Sequence, residues 1–128
     1  MDFGGQKLRK RAMGSEERAI EREKLERELR YFRIAARKAS SYPKWLRRVR
    51  RAVGVHVADI ARELDVNKSV IYRLEESEGR KSISLRAMEK MAGAMGCKLV
   101  YGIVPYGGKT ILELAERQRW KRKLGKMK

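Results

Sequence analysis

The stretch that decides the fold is IARELDVNKSVIYRLEESE, residues 60–78 of a 128-residue chain. Its apolar residues recur at helical spacing in two sets: Ile60 and Leu64, then Ile71 and Leu74. They predict two short amphipathic helices, over residues 56–64 and 68–76, with a very short link between them. One residue of such a link normally takes a positive φ, for which glycine is the usual choice. Here the expected position holds Asp65, because Asp tolerates this conformation better than most residues.

Two further helices are predicted ahead of this pair. Ser15 suits an N-cap, and the long charged helix over residues 15–40 carries one narrow apolar stripe, made of Leu25, Leu29, Phe32 and Ala36. Such a helix is weakly stable alone, so we expect the stripe to pack on its own domain or on a partner. Pro43 breaks the pattern. The next helix should end at Gly54 and point four apolar residues inward: Trp45, Leu46, Val49 and Val53.

A fifth helix, a strand and a last helix are predicted after the pair. Ser84 should cap the fifth helix, and Gly96 should end it. The following segment, CKLVYGIVP, is β-branched and aromatic, and it has the length of one strand. Because no other segment is strand-like, its backbone groups would lack partners within the chain. Pairing with the same strand of a second copy would satisfy them and predicts a homodimer, through Leu99, Val100, Tyr101, Ile103 and Val104. Thr110 should cap a final, basic helix.

The net charge is +17, from 33 Lys and Arg residues against 16 Asp and Glu residues. A chain this basic binds polyanions at least non-specifically. Residues 55–104 carry a net charge of only +1, whereas 1–40 and 41–54 carry +5 each and 105–128 carry +6. The charge therefore lies in flanking segments around a nearly neutral middle, which is typical of a specific module with electrostatic arms.

Several functional classes lack their residues in this chain. Cys97 is the one cysteine, so an internal disulfide is impossible and a reducing compartment fits. No apolar run reaches the roughly 18–20 residues of a membrane span, and residues 1–15 lack the apolar core of a secretory signal. We therefore expect a cytoplasmic, nucleoid-associated protein. No nucleophile–base pair, phosphate-binding glycine loop or metal cluster is recognisable, so we expect no enzymatic activity, cofactor or metal.

Residues 45–95 resemble the phage-repressor and Cro type of helix-turn-helix, the XRE family. Ala61 lies where a small residue lets two helices cross closely, and NKSVIYRLE matches the pattern of the family's recognition helix. Five apolar residues fall at the core positions: Ile60, Leu64, Val66, Ile71 and Leu74. The resemblance implies a mainly α, repressor-like domain of four to five helices at residues 43–96. A disordered basic lead (1–14) and the long helix (15–40) would precede it, and a dimerisation segment of strand and basic helix (97–128) would follow.

The resemblance also implies sequence-specific binding of double-stranded DNA by a transcription regulator, a repressor or autorepressor. The helix at 68–76 would lie in the major groove and face the bases with Lys68, Ser69, Tyr72 and Arg73. Phosphate contacts are expected from the N-cap of that helix, Asn67, and from three arginines of the helix that ends at Gly54: Arg47, Arg48 and Arg51.

Arg50 and Glu75 match positions that form an internal ion pair in many such domains, so we expect them to support the fold; the alternative is that Arg50 faces a phosphate. His56 and Val57 stand where many members carry Thr-Gln, whose Gln contacts a phosphate. One phosphate contact should therefore be missing here, and the Arg-rich helix before it would replace that contact.

The segment GCKLVYGIVP, directly after the fifth helix, is similar to a bacterial subgroup named mobile mystery protein A. Members of that subgroup are often encoded beside a Fic-domain protein. This resemblance implies an alternative function, an antitoxin that binds a toxin of the Fic type through helix 15–40. A second alternative is a nucleic-acid binder that uses charge alone and has no sequence preference.

Overall fold

The computed structural model describes residues 12–38 and 43–126. Over these ranges the chain forms six α-helices and no strand: α1 (Ser15–Lys38), α2 (Trp45–Val53), α3 (Val57–Leu64), α4 (Lys68–Gly79), α5 (Leu85–Ala94) and α6 (Ile111–Lys126). One turn of 3-10 helix, Tyr106–Gly108, precedes α6. None of the described helices combines the length and the apolar character that crossing a membrane requires. Most of the expected basic lead, residues 1–11, lies outside the described ranges.

The chain divides into two compact units. Residues 39–101 form the four-helix unit, which contains α2 to α5. Residues 1–38 and 102–128 form the two-helix unit, which contains α1 and α6. The first and last helices of the chain thus share one unit, a grouping that sequence order alone does not suggest.

The core of the four-helix unit is built around residues that the helical spacing points inward. Ile60, Ile71 and Met91, from three different helices, have no exposed surface. Leu46, Val57, Ala61 and Met95 complete the buried cluster. Two of the predicted inward residues are not buried, since Trp45 is 49% and Val53 59% exposed. Both lie at the ends of α2, and Val49 between them is partly buried against the core.

The turn between α3 and α4 has the predicted positive φ. Asp65 adopts φ 56° and ψ 51°, in the left-handed region. Its N–H donates to the carbonyl of Arg62 at 3.3 Å, and the next N–H, of Val66, donates to the carbonyl of Ala61 at 2.9 Å. These bonds satisfy the last carbonyls of α3, as the C-terminal turn of a helix requires.

We expect Asp65→Gly to leave stability unchanged or to raise it by up to about 1 kcal/mol, because glycine adopts this conformation without steric cost. The larger unfolded-state entropy of glycine offsets part of that gain. Asp65→Val is the matched control, and it should lose about 1–2 kcal/mol because a β-branched residue is strained at positive φ. Thermal unfolding followed by circular dichroism measures both. A large loss in Asp65→Gly would show that the carboxylate has a further role.

The helix caps agree with the sequence at some positions and differ at others. The Ser84 hydroxyl accepts from the N–H of Ala87, and the Thr110 hydroxyl accepts from the N–H of Glu113, as predicted. Gly54 ends α2 at φ 83°. The prediction of a cap at Ser15 is one residue out, since Ser15 begins α1 and the carbonyl of Gly14 accepts from Arg18.

A carboxylate from α4 caps the start of α2. The Glu78 oxygens accept from the backbone N–H groups of Trp45 and Leu46, each at 2.9 Å. An anion at this end also interacts favourably with the helix dipole. The contact spans more than 30 residues of sequence, so no local pattern indicates it.

In the two-helix unit, α1 packs against α6. Leu29 of the predicted stripe is buried, Leu25 and Phe32 are partly buried, and Ala36 is exposed. The Glu26 carboxylate accepts from the first N–H of α6, at Ile111 (2.6 Å), and from Arg33 Nη2 (2.8 Å). The stripe therefore packs within its own chain, which was one of the two outcomes expected for it.

The segment before α6 lies close to α1 at a glycine. A Cβ at Gly102 would come within 2.8 Å of the Phe32 ring. Only glycine allows this approach without a shift of the aromatic side chain.

The predicted strand is wrong for the described chain, because residues 97–105 have no regular secondary structure. The five residues assigned to it therefore lie in an irregular segment: Leu99, Val100, Tyr101, Ile103 and Val104. The physical reason is the absence of a neighbour. A β-branched sequence forms a strand only where another extended backbone pairs with it, and no described segment offers one.

Candidate nucleic-acid interface

One face of α4 is polar and open to solvent. Its four residues are Lys68, Ser69, Tyr72 and Arg73, all exposed, and this set is called the α4 face below. Ile71 and Glu75 point the opposite way and are buried. The core thus fixes the rotation of the helix about its axis. Tyr72 is 54% exposed, which leaves its hydroxyl and ring available to a ligand.

A basic groove adjoins the α4 face. It has a volume of about 760 Å³, includes Tyr72 in its lining and carries four basic residues in addition to the Arg50–Glu75 pair: Lys44, Arg47, Arg51 and Arg80. Glu76 also lines the groove and lies 3.7 Å from Arg80. Basic residues outnumber carboxylates, so the groove attracts anions.

Two of the three arginines expected to meet phosphate line this groove, namely Arg47 and Arg51. Arg48 does not. Its guanidinium lies 5.1 Å from the centre of the Trp45 ring, and it donates to the carbonyl of Pro43 at 3.3 Å. Arg48 is therefore engaged in a local contact.

Lys44 and Arg80 are members of the groove that sequence reasoning missed. Lys44 directly precedes α2, and Arg80 directly follows α4. Helical spacing assigns a face only to residues inside a helix. The sequence offered one signal for them, namely their position. Both residues lie directly beside helices that contain other predicted DNA contacts.

Arg50 and Glu75 form an ion pair at the groove. Arg50 Nε donates to Glu75 Oε2 at 2.6 Å, and Nη2 donates to Oε1 at 3.0 Å. Glu75 is only 8% exposed. The hydrogen bonds that Arg50 donates to Glu75, together with the carboxylate's charge, raise the pKa of Arg50 above its ordinary value despite burial. The arrangement is bidentate, which is the strong geometry for an arginine and a carboxylate.

The start of α4 is open to an outside acceptor. Asn67 occupies the N-cap position, as predicted, but its side chain makes no capping hydrogen bond. The first N–H groups of α4 therefore have no side-chain acceptor, and the Asn67 amide is not used as a cap. A helix N-terminus of this kind suits a phosphate oxygen.

The start of α3 is closed by comparison. Val57, one of the two residues that replace Thr-Gln, is 6% exposed and belongs to the core. His56 is exposed, and its backbone N–H donates to the carboxylate of Asp59 at 3.2 Å. The described residues contain no group of His, Cys, Asp and Glu side chains that could hold a metal ion.

Comparison with known proteins identifies the four-helix unit. Residues 46–101 match the family model described as Helix-turn-helix. No curated protein and no solved structure is significantly similar to the chain. The matched range runs from the start of α2 through the segment after α5, and it includes the α3–turn–α4 pair that carries the polar face. Residues 46–101 are therefore a helix-turn-helix domain of the XRE family, the DNA-binding domain of a transcription regulator.

Proposed function

We propose that the chain is a sequence-specific regulator that reads the major groove of double-stranded DNA with α4 and represses transcription at its site, its own promoter included. The main support for the proposal is the α4 face, which is polar and exposed, while the opposite side of the same helix is buried in the core. In helix-turn-helix proteins the second helix of the motif enters the major groove with its N-terminal residues on base edges. Such a protein acts on the nucleoid in the cytoplasm.

The side chains have separate tasks in this proposal. Lys68 and Arg73 suit the O6 and N7 acceptors of guanine, and Ser69 suits either a base or a phosphate. Tyr72 packs on a thymine methyl group or a sugar and bonds a phosphate through its hydroxyl. Arg47 and Arg51, with Lys44 and Arg80 beside them, contact phosphates of the DNA backbone. The open N-terminus of α4 contacts a phosphate as well. Arg50 remains with Glu75.

Selection from a library of random duplexes tests the proposal. We expect repeated rounds to enrich one sequence, and that duplex should compete far better for the protein than an unselected duplex does. A library that stays random after selection would contradict the proposal and favour the second alternative, a binder that uses charge alone.

We further propose that the protein binds DNA as a homodimer. Support comes from an apolar groove of about 260 Å³ on the four-helix unit, whose lining includes Trp45, Val49, Met88, Leu99 and Val100. A second copy that covers this groove through the same surface would form a closed, two-fold symmetric pair. Two copies of α4 would then bind a DNA site with the same two-fold symmetry, whose half-sites lie about 34 Å apart.

Val100→Asp tests the dimer. Val100 is 68% exposed, so a charge there leaves the fold intact but places two carboxylates in a symmetric interface whose lining is apolar except for Lys98. We expect dimerisation to weaken by roughly 100-fold, since taking a carboxylate out of water costs several kcal/mol. Val53→Asp is the matched control, exposed on the same unit but outside the groove. Sedimentation equilibrium measures both. A dimer that persists in Val100→Asp would exclude this groove as the interface.

A toxin partner that binds through α1 is the other candidate function. It is less well supported, because Leu29 and Phe32 of the stripe on α1 already pack within the two-helix unit. Purification from the native host distinguishes the two, since an antitoxin would bring a stoichiometric partner that is lost when residues 1–40 are deleted.

A further inference from the structure

A second basic surface lies in the two-helix unit, on helices that the helix-turn-helix domain does not contain. Four arginines line one cleft of about 570 Å³, two from the first half of α1 and two from α6: Arg18, Arg22, Arg119 and Arg122. Ser15 and Gln118 add polar groups to the same lining. This set is called the arginine cleft. No carboxylate lines it, although α1 carries six Glu residues and α6 carries two.

The four guanidinium groups have no counterion in the described part of the chain. None of them forms an ion pair with a carboxylate there, and Arg18 donates to a neutral acceptor, the carbonyl of Met13, at 2.6 Å. Like charges three or four residues apart on one helix cost about 0.2–0.5 kcal/mol per pair. Both helices carry such a pair facing the cleft, so the arrangement lowers stability unless an external anion compensates it.

The lining indicates the class of anion. Surfaces that bind proteins centre on apolar or aromatic anchors, but the cleft is lined by arginine, serine and glutamine around one small residue, Ala115. Guanidinium groups match phosphate oxygens with two parallel hydrogen bonds. A polymer of phosphodiesters presents many such groups in a row, and the chain already carries a DNA-binding domain.

We propose that the arginine cleft is a second DNA-backbone site, which binds phosphates of the duplex independently of its sequence. This inference rests on the proposed function, since it assumes that the chain's ligand is DNA. Under it, α1 and α6 together supply affinity, and α4 supplies sequence preference. The cleft requires both helices, so it differs from a basic tail that acts through α6 alone.

Salt dependence of binding by the full chain to an unselected duplex tests the cleft. Each phosphate contact contributes about 0.9 to the slope of log K against log salt concentration. We expect Arg18→Gln, Arg22→Gln, Arg119→Gln and Arg122→Gln together to reduce that slope by about 3 units. Each helix's pair alone should reduce it by about 1.5–2 units. Circular dichroism should show an unchanged helix content, because all four residues are exposed or partly exposed.

A matched control removes the same charge from other faces of the same helices. Its four changes are Lys24→Gln, Arg27→Gln, Arg117→Gln and Lys121→Gln, all at exposed residues outside the cleft. We expect this variant to change the slope by less than about 1 unit. An equal reduction in the control would overturn the inference, because net charge would then be the cause. A reduction confined to the α6 pair would also overturn it.

The result distinguishes the cleft from the proposed function. The four-arginine variant should keep the enriched sequence preference of the wild type, because α4 is untouched. An unchanged slope together with an intact preference overturns the cleft and leaves the proposed function standing. Loss of a co-purifying acidic protein with an unchanged slope would likewise overturn it, in favour of a protein ligand.

Discussion

Glu75→Ala should lower the free energy of unfolding of the four-helix unit by about 3–5 kcal/mol. The substitution leaves Arg50 charged and largely buried, with its two hydrogen bonds of 2.6 and 3.0 Å lost. A loss of that size lowers the Tm of a domain this small by more than about 10 °C. DNA affinity should fall with it, because the pair joins α2, which carries the basic groove, to α4, which carries the polar face.

Two further variants separate the ion pair from its surroundings. Glu76→Ala is the matched control, since Glu76 is exposed and lies 3.7 Å from Arg80, and it should cost less than about 1 kcal/mol. Arg50→Met combined with Glu75→Leu replaces both charges and should regain most of the stability lost in Glu75→Ala. Thermal unfolding followed by circular dichroism measures all three. An unchanged Tm in Glu75→Ala would contradict the structural role of the pair.

Lys68→Ala with Arg73→Ala should weaken binding to the selected duplex by about 100-fold, because each well-formed base contact contributes about 1–3 kcal/mol of discrimination. Binding to an unselected duplex should fall by far less. Both side chains are exposed, so the substitutions leave the core intact. Competition between the two duplexes measures the effect.

Arg47→Ala is the matched control for the α4 face. Arg47 lines the basic groove, and a phosphate contact carries no sequence information. Its loss should weaken binding to both duplexes by the same factor and reduce the salt slope by about 1. Equal losses on both duplexes in the Lys68 and Arg73 variant would show that these residues also contact only the backbone.

The parts of the fold that the sequence predicted are those that depend on local chemistry. Ile60 and Ile71 follow helical spacing and are fully buried. Asp65 was placed by the length of the link, and its φ of 56° confirms the prediction. The helix caps at Ser84 and Thr110 likewise depend on residues only three positions apart.

The parts that were missed depend on contacts between distant segments. Glu78, at the end of α4, accepts a hydrogen bond from the start of α2. Glu26, on α1, accepts one from the start of α6. No periodicity indicates either contact. The predicted strand at residues 97–105 failed for the same reason, because its composition favours a strand while strand formation depends on a neighbouring segment.

The candidate site shows the same division. Helical spacing placed all four residues of the α4 face on the exposed side of the helix. The phosphate contact of Arg48 stays a prediction, and helical spacing could not show that this side chain lies over the Trp45 ring. Lys44 and Arg80 were missed because they lie just beyond the helix ends.

Protection of guanine N7 from methylation by dimethyl sulfate tests the central claim, that α4 reads bases in the major groove. N7 lies in the major groove and is the acceptor that Lys68 and Arg73 suit. On the selected duplex, we expect the wild-type chain to protect guanines within the enriched sequence, and the variant with Lys68→Ala and Arg73→Ala to lose that protection. An unprotected major groove under saturating wild-type protein would contradict the claim.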